Sequence, residues 1–494
     1  MVSSCKKSVL FVAVLILMIL SGFIFGGCDD KAPLNEHPNI LLIVLDTVRA
    51  DHLSCYGHTV QTTPNIDRLA EEGAKFTNVY STSCWTLPAH ASIFTGKYPY
   101  THGAHQKHLH LNNSHLTSAE ALESEGYQTV FFSDNPMVGK GVGLAQGFED
   151  IYHIWMLRKN KDKNVYSEKM VSRYEKGKAH PVNKAVETWW KDKKDDDRPF
   201  FMFINYIDAH GPYKAPEKYV DDIIKDRKLK KKARSLPQGW PAFYSGKIKY
   251  DKEDFQLLSL LYDAEIKYLD FAVNELLSFL KSNDRLENTA IIITSDHGES
   301  LGEHGLVDHV FNLYNTNLRV PLIVYYPPLF KKNSKCDRPV QLNDLFRTCL
   351  DLSGKFNNID TPTSLSLLPQ NWNNIAYDRT LFSEYYFPEQ ALGIFSEEAL
   401  KSGKLDKYKR SLESVIKTKE KAIKSSTDEK ELYLLEKDPA EKNNLYDENK
   451  GKFEKLMEVK TGFKERIDKV EYYETPVEFD EETKDRLRDL GYIK

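Results

Sequence analysis

Three continuous apolar runs along the chain predict the central strands of a sheet. They are Asn39–Leu45, Phe200–Tyr206 and Thr289–Thr294, and all three are rich in β-branched or aromatic residues. A run that is apolar at every position, instead of at alternate positions, is typical of a parallel strand buried on both faces. The pattern therefore predicts an α/β fold with a mostly parallel central sheet flanked by helices.

The remaining stretches follow other patterns. Apolar residues recur at helical spacing over residues 250–280, which predicts a long packing helix. Residues 152–194 and 221–252 are polar and highly charged, and we interpret them as insertions with solvated faces. Strands and a Lys/Glu-rich helical stretch after residue 376 predict a smaller C-terminal α+β subdomain.

Acidic and imidazole side chains follow two of the predicted central strands. Asp46 comes directly after the first strand, and Asp296 and His297 follow the strand that ends at Thr294. Open α/β sheets bind their ligands at the carboxyl ends of parallel strands. A carboxylate there is costly unless it is paired or binds a cation, and Asp and His are common metal ligands. The alternatives are a helix cap at Asp46 and a hydrogen-bonded turn histidine at His297.

Thr86 stands at a predicted helix start, because Pro88 favours the first turn of a helix. A hydroxyl group at this place lies at the positive end of the helix dipole, beside free backbone N–H groups. Such a position suits a nucleophile that attacks an anionic ester. The alternative is a simple N-cap, which is the commoner use of threonine at a helix start.

The N-terminal segment has the pattern of an export signal. Lys6 and Lys7 precede an apolar run over residues 8–25, and small residues then precede Cys28. Small residues before a cysteine resemble the bacterial lipobox, so residues 1–28 are interpreted as a signal and lipoprotein anchor, and residues 29–37 as a linker. The apolar run is also nearly long enough to remain as an uncleaved membrane anchor. Either interpretation predicts a protein that is exported and membrane-tethered, in the bacterial periplasm or at the cell surface.

Composition limits the class of protein. The chain has 494 residues, of which 41% are hydrophobic and 28% charged, which favours one large α/β domain with a smaller one appended. The formal net charge of -4 indicates no nucleic-acid partner. Beyond the N-terminal segment, no pair of cysteines has the C-x-x-C spacing, which argues against a thiolate zinc site.

Seven short segments of the chain form a series from residue 39 to the C-terminal end. They are residues 39–53, 88–96, 208–213, 295–305, 318–324, 431–445 and 487–492. In this order they resemble the sulfatase family, within the alkaline phosphatase superfamily. The resemblance implies an alkaline-phosphatase-like sheet with a metal ion at the strand ends and a nucleophile at a helix start. It also implies a catalytic domain over residues 38–355 and a C-terminal subdomain over residues 356–494.

The segment around Thr86 departs from the pattern of a working sulfatase. The family carries Cys or Ser two residues before Pro88 and Arg two residues after it, and that Cys or Ser is oxidised to formylglycine. Here the two positions hold Thr86 and His90, and Cys84 lies two residues too early to substitute. Threonine is a secondary alcohol and cannot yield an aldehyde. We therefore expect no formylglycine.

The same positions resemble other branches of the superfamily. Phosphoethanolamine transferases and lipoteichoic-acid synthases combine a threonine nucleophile with an Asp-His pair and a transition metal. This resemblance implies one divalent metal ion held by Asp46, Thr86, Asp296 and His297. Because a histidine replaces the usual asparagine at position 297, zinc or manganese is favoured over calcium. Attack by Thr86 would give a phosphothreonine, which water or an acceptor alcohol then resolves.

Further candidate residues are histidines that follow predicted strands or turns. His210 matches the His-x-Pro segment with which the family contacts the transferred group, and His309 is interpreted as a leaving-group acid or substrate contact. Ordinary turn histidines are the alternative for both, and the two interpretations are equally balanced for His304. We interpret Arg49 as one partner of a salt bridge.

The sequence therefore predicts a metal-dependent hydrolase of sulfate or phosphate esters, with phosphorus favoured because of Thr86. Its expected partners are an anionic ester (a glycan, a lipid headgroup or a small molecule) and the membrane that holds its N-terminal anchor. Three alternatives stay open at this point. They are a phosphoethanolamine-type transferase, a formylglycine-type sulfatase, and a degenerate protein that only binds anionic glycans.

Overall fold

The computed structural model of the protein describes residues 37–157, 180–193, 196–356, 359–467, 477 and 479–493. The predicted signal segment and most of the charged stretch 152–194 lie outside these residues, so export and lipidation stay predictions. Within the described part of the chain, no helix combines the length and apolar character needed to cross a bilayer.

The strands alternate with helices through most of the chain. The strands are β1 (Asn39–Leu45), β2 (Ala74–Tyr80), β3 (Gln128–Ser133), β4 (Asp150–His153), β5 (Phe200–Tyr206), β6 (Thr289–Thr294), β7 (Ser300–Leu301), β8 (Val307–Asp308), β9 (Leu322–Tyr325), β10 (Ser334–Gln341), β11 (Leu381–Tyr385), β12 (Leu412–Lys417), β13 (Glu420–Ser425) and β14 (Lys430–Leu434).

The α-helices are α1 (Pro64–Glu72), α2 (Thr86–Thr95), α3 (Pro99–His102), α4 (Ser118–Ser124), α5 (Ile154–Leu157), α6 (Pro181–Lys193), α7 (Glu217–Ile223), α8 (Arg227–Arg234), α9 (Trp240–Tyr244), α10 (Lys252–Ser282), α11 (Asn315–Leu318), α12 (Asp344–Leu352), α13 (Glu389–Gly393), α14 (Glu397–Lys401), α15 (Lys450–Arg466) and α16 (Glu481–Asp489). Short 3-10 helices span Ala50–His52, Ser54–Tyr56, Lys140–Val142, Glu303–Gly305, Pro369–Asn374 and Asp406–Tyr408.

The main sheet has β1 near its centre. Its strand order is β10-β2-β9-β6-β1-β5-β3-β4, and β1 pairs in parallel with both β5 and β6. Strand β9 runs antiparallel to β2 and β6, which makes the sheet mixed but mostly parallel. The predicted fold class is therefore confirmed.

The two faces of β1 belong to different hydrophobic clusters. Ile40, Leu42 and Val44 pack in one cluster, whereas Leu41 and Ile43 pack in the other on the opposite face. Because neighbouring strand residues point to opposite faces, a strand covered on both sides needs an apolar residue at every position. This explains the continuous apolar run. The long helix α10, predicted over residues 250–280, covers the second face.

A second sheet follows in the C-terminal part of the chain. Strands β11, β12, β13 and β14 form an antiparallel meander, and helix α15 packs against it through Phe453 and Leu456. The predicted C-terminal α+β structure is therefore confirmed. From His37 onward the chain forms one compact unit, so the predicted boundary at residue 355 stays a prediction. The four cysteines in the described residues are all free thiols.

Candidate active site

Two buried acids meet at the carboxyl edge of the main sheet. Strands β1 and β6 pair in parallel with Val44 opposite Thr294, so the residues that follow both strands leave the sheet at the same edge. Asp46 and Asp296 are both fully buried there, and the backbone N–H of Thr47 donates to Asp296 Oδ1 at 3.2 Å. Asp46, Asp296 and His297 each offer a ligand atom, and these atoms lie within 4.8 Å of one another.

Each of the two acids keeps one oxygen atom without a hydrogen-bond partner. Asp46 Oδ2 accepts from Asn135 Nδ2 at 2.8 Å and from Asn205 Nδ2 at 3.3 Å, but Asp46 Oδ1 and Asp296 Oδ2 have no hydrogen bond among the described residues. Burial, together with the charge of Asp296, raises the pKa of Asp46 to about 7. Asp46 is therefore stable as an anion only beside a cation, and Asp296 offers a second free oxygen at the same place, so this site fits a metal ion.

His297 presents a lone pair to the same point. Its Nδ1–H donates to the carbonyl of Gly298 at 2.9 Å, which leaves Nε2 of the neutral ring as the acceptor. Nε2 lies 3.2 Å from Asp296 Oδ2 and 3.3 Å from Thr86 Oγ1. A histidine oriented by a backbone carbonyl in this way is typical of a metal ligand. The donor set of two carboxylates, one imidazole and one hydroxyl suits zinc or manganese.

Thr86 is the first residue of helix α2 and does not cap it. The N-cap position is Trp85, and no side chain makes a capping hydrogen bond there. The Thr86 hydroxyl is fully buried and contacts Tyr492 OH at 2.9 Å in addition to His297. The structure therefore removes the N-cap alternative, because the hydroxyl contacts His297 and Tyr492 instead of the helix N–H groups.

His90 lies one turn further along α2. Its Nδ1–H donates to the carbonyl of Thr86 at 2.9 Å, and Nδ1 lies 3.5 Å from Asp296 Oδ2. Burial lowers the pKa of His90 below its ordinary value, which favours the neutral ring. The side chain thus braces the first turn of the helix that carries Thr86.

His210 and His309 complete a group of histidines near Thr86. The ring of His309 lies 4.6 Å from that of His297 and 4.8 Å from that of His210, measured between centroids. His210 donates from Nδ1 to the carbonyl of Gly211 at 2.7 Å, and burial lowers its pKa to about 3. A neutral His210 therefore offers Nε2, which has no hydrogen-bond partner among the described residues, as an acceptor.

His309 has the opposite electrostatic environment. Burial lowers its pKa, but Asp308 at 3.0 Å and Glu299 at 3.7 Å more than compensate and hold it well above the ordinary value. Burial and the charge of Asp308 raise the pKa of Glu299 to about 7. His309 is therefore an imidazolium near neutral pH, which is the form that can donate a proton to a leaving group.

Three residues of this site had no role in the sequence prediction. Asn135 and Asn205 both donate to Asp46, and the hydroxyl of Tyr492 contacts the hydroxyl of Thr86. Asn205 carried a signal, because it is a polar residue inside the otherwise apolar run of β5. Tyr492 belongs to a segment that resembles the family, but its position along the chain gives no indication that it reaches residue 86.

Two other candidates have partners outside the group around Thr86. His304 stacks on Tyr314 with ring centroids 3.8 Å apart, which is a packing role. Arg49 pairs with Asp51 at 2.7 Å and with Glu303 at 2.6 Å, so its predicted salt bridge is confirmed.

A separate cluster of similar residues lies on the side of the sheet where α10 packs. His52 Nδ1 lies 2.7 Å from Asp263 Oδ1, and His58 Nε2 lies 3.1 Å from Asp263 Oδ2. Both oxygens of this carboxylate therefore have an imidazole partner. The cluster tethers the loop after β1 to helix α10, and the neighbouring Tyr262 donates its hydroxyl to the carbonyl of Thr47 at 2.7 Å.

Two family models match large parts of the chain. The family model described as Sulfatase matches residues 38–355, which is more than half of the chain. A second model, described as N-sulphoglucosamine sulphohydrolase, C-terminal, matches residues 302–472. These two matches together extend across the main sheet and the whole C-terminal sheet.

Individual relatives are similar over most of their length. An N-acetylglucosamine-6-O-sulfatase of Bacteroides thetaiotaomicron is 24% identical over 521 residues, which cover 87% of this chain and 87% of that protein. An arylsulfatase of Clostridium perfringens is 26% identical over 486 residues, which cover 87% of this chain and 92% of that protein.

Solved structures share the fold at low sequence identity. A protein in complex with its substrate D-glucosamine-2-N,6-O-disulfate superposes with a TM-score of 0.66 at 22% identity, covering 87% of this chain and 98% of that one. A phosphonate monoester hydrolase of Agrobacterium radiobacter superposes with a TM-score of 0.65 at 19% identity, covering 86% of this chain and 96% of that one.

Proposed function

Since the chain belongs to the sulfatase family and is an ester hydrolase of the alkaline phosphatase superfamily, we propose that it hydrolyses phosphorus esters with Thr86 as the nucleophile. The observation that carries the proposal is the Thr86 hydroxyl, which lies at a helix start 3.3 Å from His297 Nε2. A cysteine or serine that could become an aldehyde is absent from this position. The chemistry must therefore begin from an alcohol.

A divalent metal ion fits beside this hydroxyl group. Asp46, Asp296, His297 and Thr86 would hold it, and when bound it supplies the positive charge that lowers the pKa of a coordinated hydroxyl group. The fit rests on the free oxygens of the two buried acids. Zinc or manganese is the proposed ion.

The chain's own residues account for the two steps of hydrolysis. Thr86 would react as its alkoxide, after its hydroxyl proton has passed to solvent. Thr86 Oγ1 forms a bond to phosphorus while the bond to the leaving oxygen breaks, and the His309 imidazolium gives that oxygen a proton. The product of this step is a phosphothreonine at Thr86. Water then attacks phosphorus, the bond to Thr86 Oγ1 breaks, and the neutral His309 takes the proton that the water releases.

Tyr492 and Asn135 orient the nucleophile in this scheme. Asn135 Nδ2 lies 3.4 Å from the Tyr492 hydroxyl oxygen and 2.8 Å from Asp46 Oδ2, so one amide bridges the tyrosine and an acid. Burial holds the pKa of Tyr492 well above its ordinary value, so its hydroxyl keeps its proton. The tyrosine can therefore donate to Thr86 Oγ1 at rest, or to an oxygen of the transferred group when a substrate is bound.

Sulfate-ester hydrolysis is the second candidate, because the similar relatives include an N-acetylglucosamine-6-O-sulfatase and an arylsulfatase. The phosphonate monoester hydrolase among the similar structures supports the phosphorus assignment by analogy only. Transfer to an alcohol instead of water would use the same phosphothreonine, so it differs only in the acceptor.

The experiment is metal-dependent turnover of aryl sulfate, aryl phosphate and aryl phosphodiester substrates by the wild type, Thr86→Ala and Thr86→Ser. We expect phosphorus esters to be cleaved, a loss of roughly a thousandfold or more in Thr86→Ala, and partial activity in Thr86→Ser because an alcohol remains. Mass analysis of a quenched reaction should find phosphate on the Thr86 peptide. Turnover of aryl sulfate alone, or a Thr86→Ala variant that stays active, would refute the proposal.

A further inference from the structure

The proposed nucleophile has no surface that solvent can reach. Thr86 and the three other proposed metal ligands are each 0% exposed. The free oxygen atoms of the two acids, Asp46 Oδ1 and Asp296 Oδ2, are buried with them. An ester must bring its phosphorus to about 3 Å from Thr86 Oγ1 before the two react. Some part of the protein that covers Thr86 therefore has to move first.

Two of the elements around Thr86 are fixed in the core. Helix α2, which carries Thr86, is buried at all ten of its positions. His297, one contact of the Thr86 hydroxyl, is fully buried, and the next residue, Gly298, donates its N–H to the carbonyl of Asn317 at 2.8 Å. Moving either element would disrupt close packing or break a buried hydrogen bond. The covering part that moves must therefore lie elsewhere.

The other described contact of the Thr86 hydroxyl comes from residues 490–493, which follow helix α16 and are called here the 490–493 segment. Its tyrosine hydroxyl, Tyr492 OH, lies 2.9 Å from Thr86 Oγ1. Three of its four residues, Gly491, Tyr492 and Ile493, are partly exposed, whereas no residue of α2 is. The 490–493 segment is thus a part of the cover that also faces solvent.

Few hydrogen bonds hold the 490–493 segment to the rest of the molecule. The backbone N–H groups of residues 490–492 all donate to carbonyls of helix α16, which directly precedes the segment. Among the described residues, only the Tyr492 hydroxyl forms hydrogen bonds outside this helix, with Thr86 at 2.9 Å and with Asn135 Nδ2 at 3.4 Å. Breaking these two contacts would therefore release the segment while α16 keeps its place.

Helix α16 is the fixed base of the segment. Leu487 is fully buried in the hydrophobic cluster on one face of the main sheet, and Trp155 Nε1 donates to Thr483 Oγ1 at 3.4 Å. Gly491 follows the helix with a φ of 78°, the left-handed conformation that commonly ends a helix. Because glycine adopts many backbone conformations, a rotation at Gly491 would move Tyr492 without moving α16.

Empty space borders the 490–493 segment in two places. Tyr492 borders a cavity of about 50 Å³ whose wall includes Trp85, and Ile493 borders a cleft of about 290 Å³. Leu490 and Gly491 border both. A segment beside empty space loses few dispersion contacts when it moves, and it has room to move into. Packing and hydrogen bonding thus agree in making this segment the part of the cover that opens most easily.

We propose that the 490–493 segment is a lid, which must leave Thr86 before an ester reaches it and which closes again over the bound ester. On closing, the Tyr492 hydroxyl donates to the transferred group instead of to Thr86. The same opening admits the water that resolves the phosphothreonine. This inference rests on the proposed role of Thr86, but it concerns access to the site and not the bond that breaks there.

The test places a thiol at the position of the nucleophile and measures how fast a small reagent reaches it. Thr86→Cys is compared, in metal-free protein, in the full chain and in a variant that lacks residues 490–494. Iodoacetamide modifies each thiolate that it reaches, and mass analysis of the peptides gives the rate at each cysteine. We expect modification at position 86 to be roughly tenfold or more faster in the shorter chain, because no opening step precedes it.

Three controls accompany this comparison. Tyr492→Phe keeps the ring and removes the hydroxyl, so it should speed modification at position 86 by roughly threefold. Lys484→Gln removes an exposed ion pair of α16, with Glu481 at 2.6 Å, and should leave the rate unchanged. Cys84 is a free, fully buried thiol two residues before position 86, so it serves as an internal control. Its rate of modification should be the same in every variant.

The outcomes separate this inference from the proposed function. Equal rates at position 86 in the full and the shorter chain, or a parallel increase at Cys84, would overturn the lid and leave the chemistry of Thr86 intact. If urea unfolding shows that the shorter chain does not fold, the comparison of Tyr492→Phe with Lys484→Gln decides in its place. Activity that survives Thr86→Ala would instead overturn the proposed function, whatever the labelling rates are.

Discussion

Two clusters in this protein are made from the same kinds of residue and differ in how their atoms are paired. In the cluster of Asp46, Asp296 and His297, one oxygen of each acid has no hydrogen-bond partner among the described residues. In the cluster of His52, His58 and Asp263, both carboxylate oxygens face an imidazole nitrogen at 2.7 and 3.1 Å. All three residues of the first cluster are fully buried, whereas His58 of the second is partly exposed.

The difference shows that residue type alone does not identify a metal site. A buried carboxylate whose lone pairs are all used is already stabilised, and a cation would have to displace its partners. A buried carboxylate with a free oxygen is destabilised until a cation arrives. We therefore propose metal binding and catalysis for the first cluster, and a structural role for the second, which holds the loop after β1 against α10.

The largest expected effect comes from removing one acid of each cluster. Asp296→Asn should lower activity by roughly a thousandfold or more, about 4 kcal/mol of transition-state stabilisation, because it removes a proposed metal ligand. Asp263→Asn should keep bound metal and most activity but lower the free energy of unfolding by roughly 1–3 kcal/mol, because an amide cannot accept from both histidines. Elemental analysis measures the metal bound to each variant, and urea unfolding measures its free energy of unfolding. Loss of metal from Asp263→Asn but not from Asp296→Asn would reverse the assignment.

The second effect is a difference in how the clusters respond to pH when metal is removed. The pKa of Asp46 is raised from 3.8 to about 7 by burial and by Asp296, so its contribution to stability is present below pH 3.8 and is lost as pH rises to 7. For Asp263, burial raises the pKa, but hydrogen bonds from His52 and His58 lower it overall, so its contribution is lost as pH falls.

We therefore expect the metal-free protein to lose stability between pH 4 and 7, with on the order of 4 kcal/mol from Asp46 alone. Glu299 contributes with the same sign, because its pKa is also raised to about 7. The control is Asp46→Asn, which removes the Asp46 part of this slope, and zinc addition at pH 7 should restore stability only when Asp46 is present. A metal-free wild type whose stability rises between pH 4 and 7 would contradict the described burial of Asp46.

The smallest expected effect is a loss of stability that tests the structural role of the second cluster. His58→Gln should lower the free energy of unfolding by about 1 kcal/mol, since one hydrogen bond to Asp263 at a partly exposed position is lost. The kinetic constants for hydrolysis should stay within about twofold of the wild type, because the residue touches none of the proposed ligands. A change in bound metal or a large fall in kcat would link this cluster to catalysis after all.

Much of the fold follows from patterns within single segments. The continuous apolar runs at Asn39–Leu45 and Thr289–Thr294 identify buried parallel strands. Asp46 and Asp296 could be predicted as site residues because proteins of this class bind ligands at the carboxyl ends of such strands. The place of Thr86 before Pro88 and the family resemblance predict it as the nucleophile. These parts could be predicted because each depends on local sequence or on a motif.

The remaining part of the site depends on contacts between distant segments. Tyr492 contacts Thr86 across 406 positions of the chain, and Asn135 reaches Asp46 across 89. No local periodicity encodes such a contact, because it arises from how the completed sheet and the C-terminal segment pack. The pairing of His52 and His58 with Asp263 is likewise visible only in three dimensions. This pairing is what separates the structural cluster from the proposed catalytic one.

The central position of β1 also affects how the protein folds. Asp46 cannot meet Asp296 and Asn205 until β1 has paired with β5 and β6, whose sequences begin about 160 and 250 residues later. Contacts between such distant segments form slowly, because large loops must close before any interaction compensates for the lost entropy. Metal uptake during refolding should therefore follow the slow assembly of the sheet, which makes the bound ion a kinetic reporter of the last strands to join.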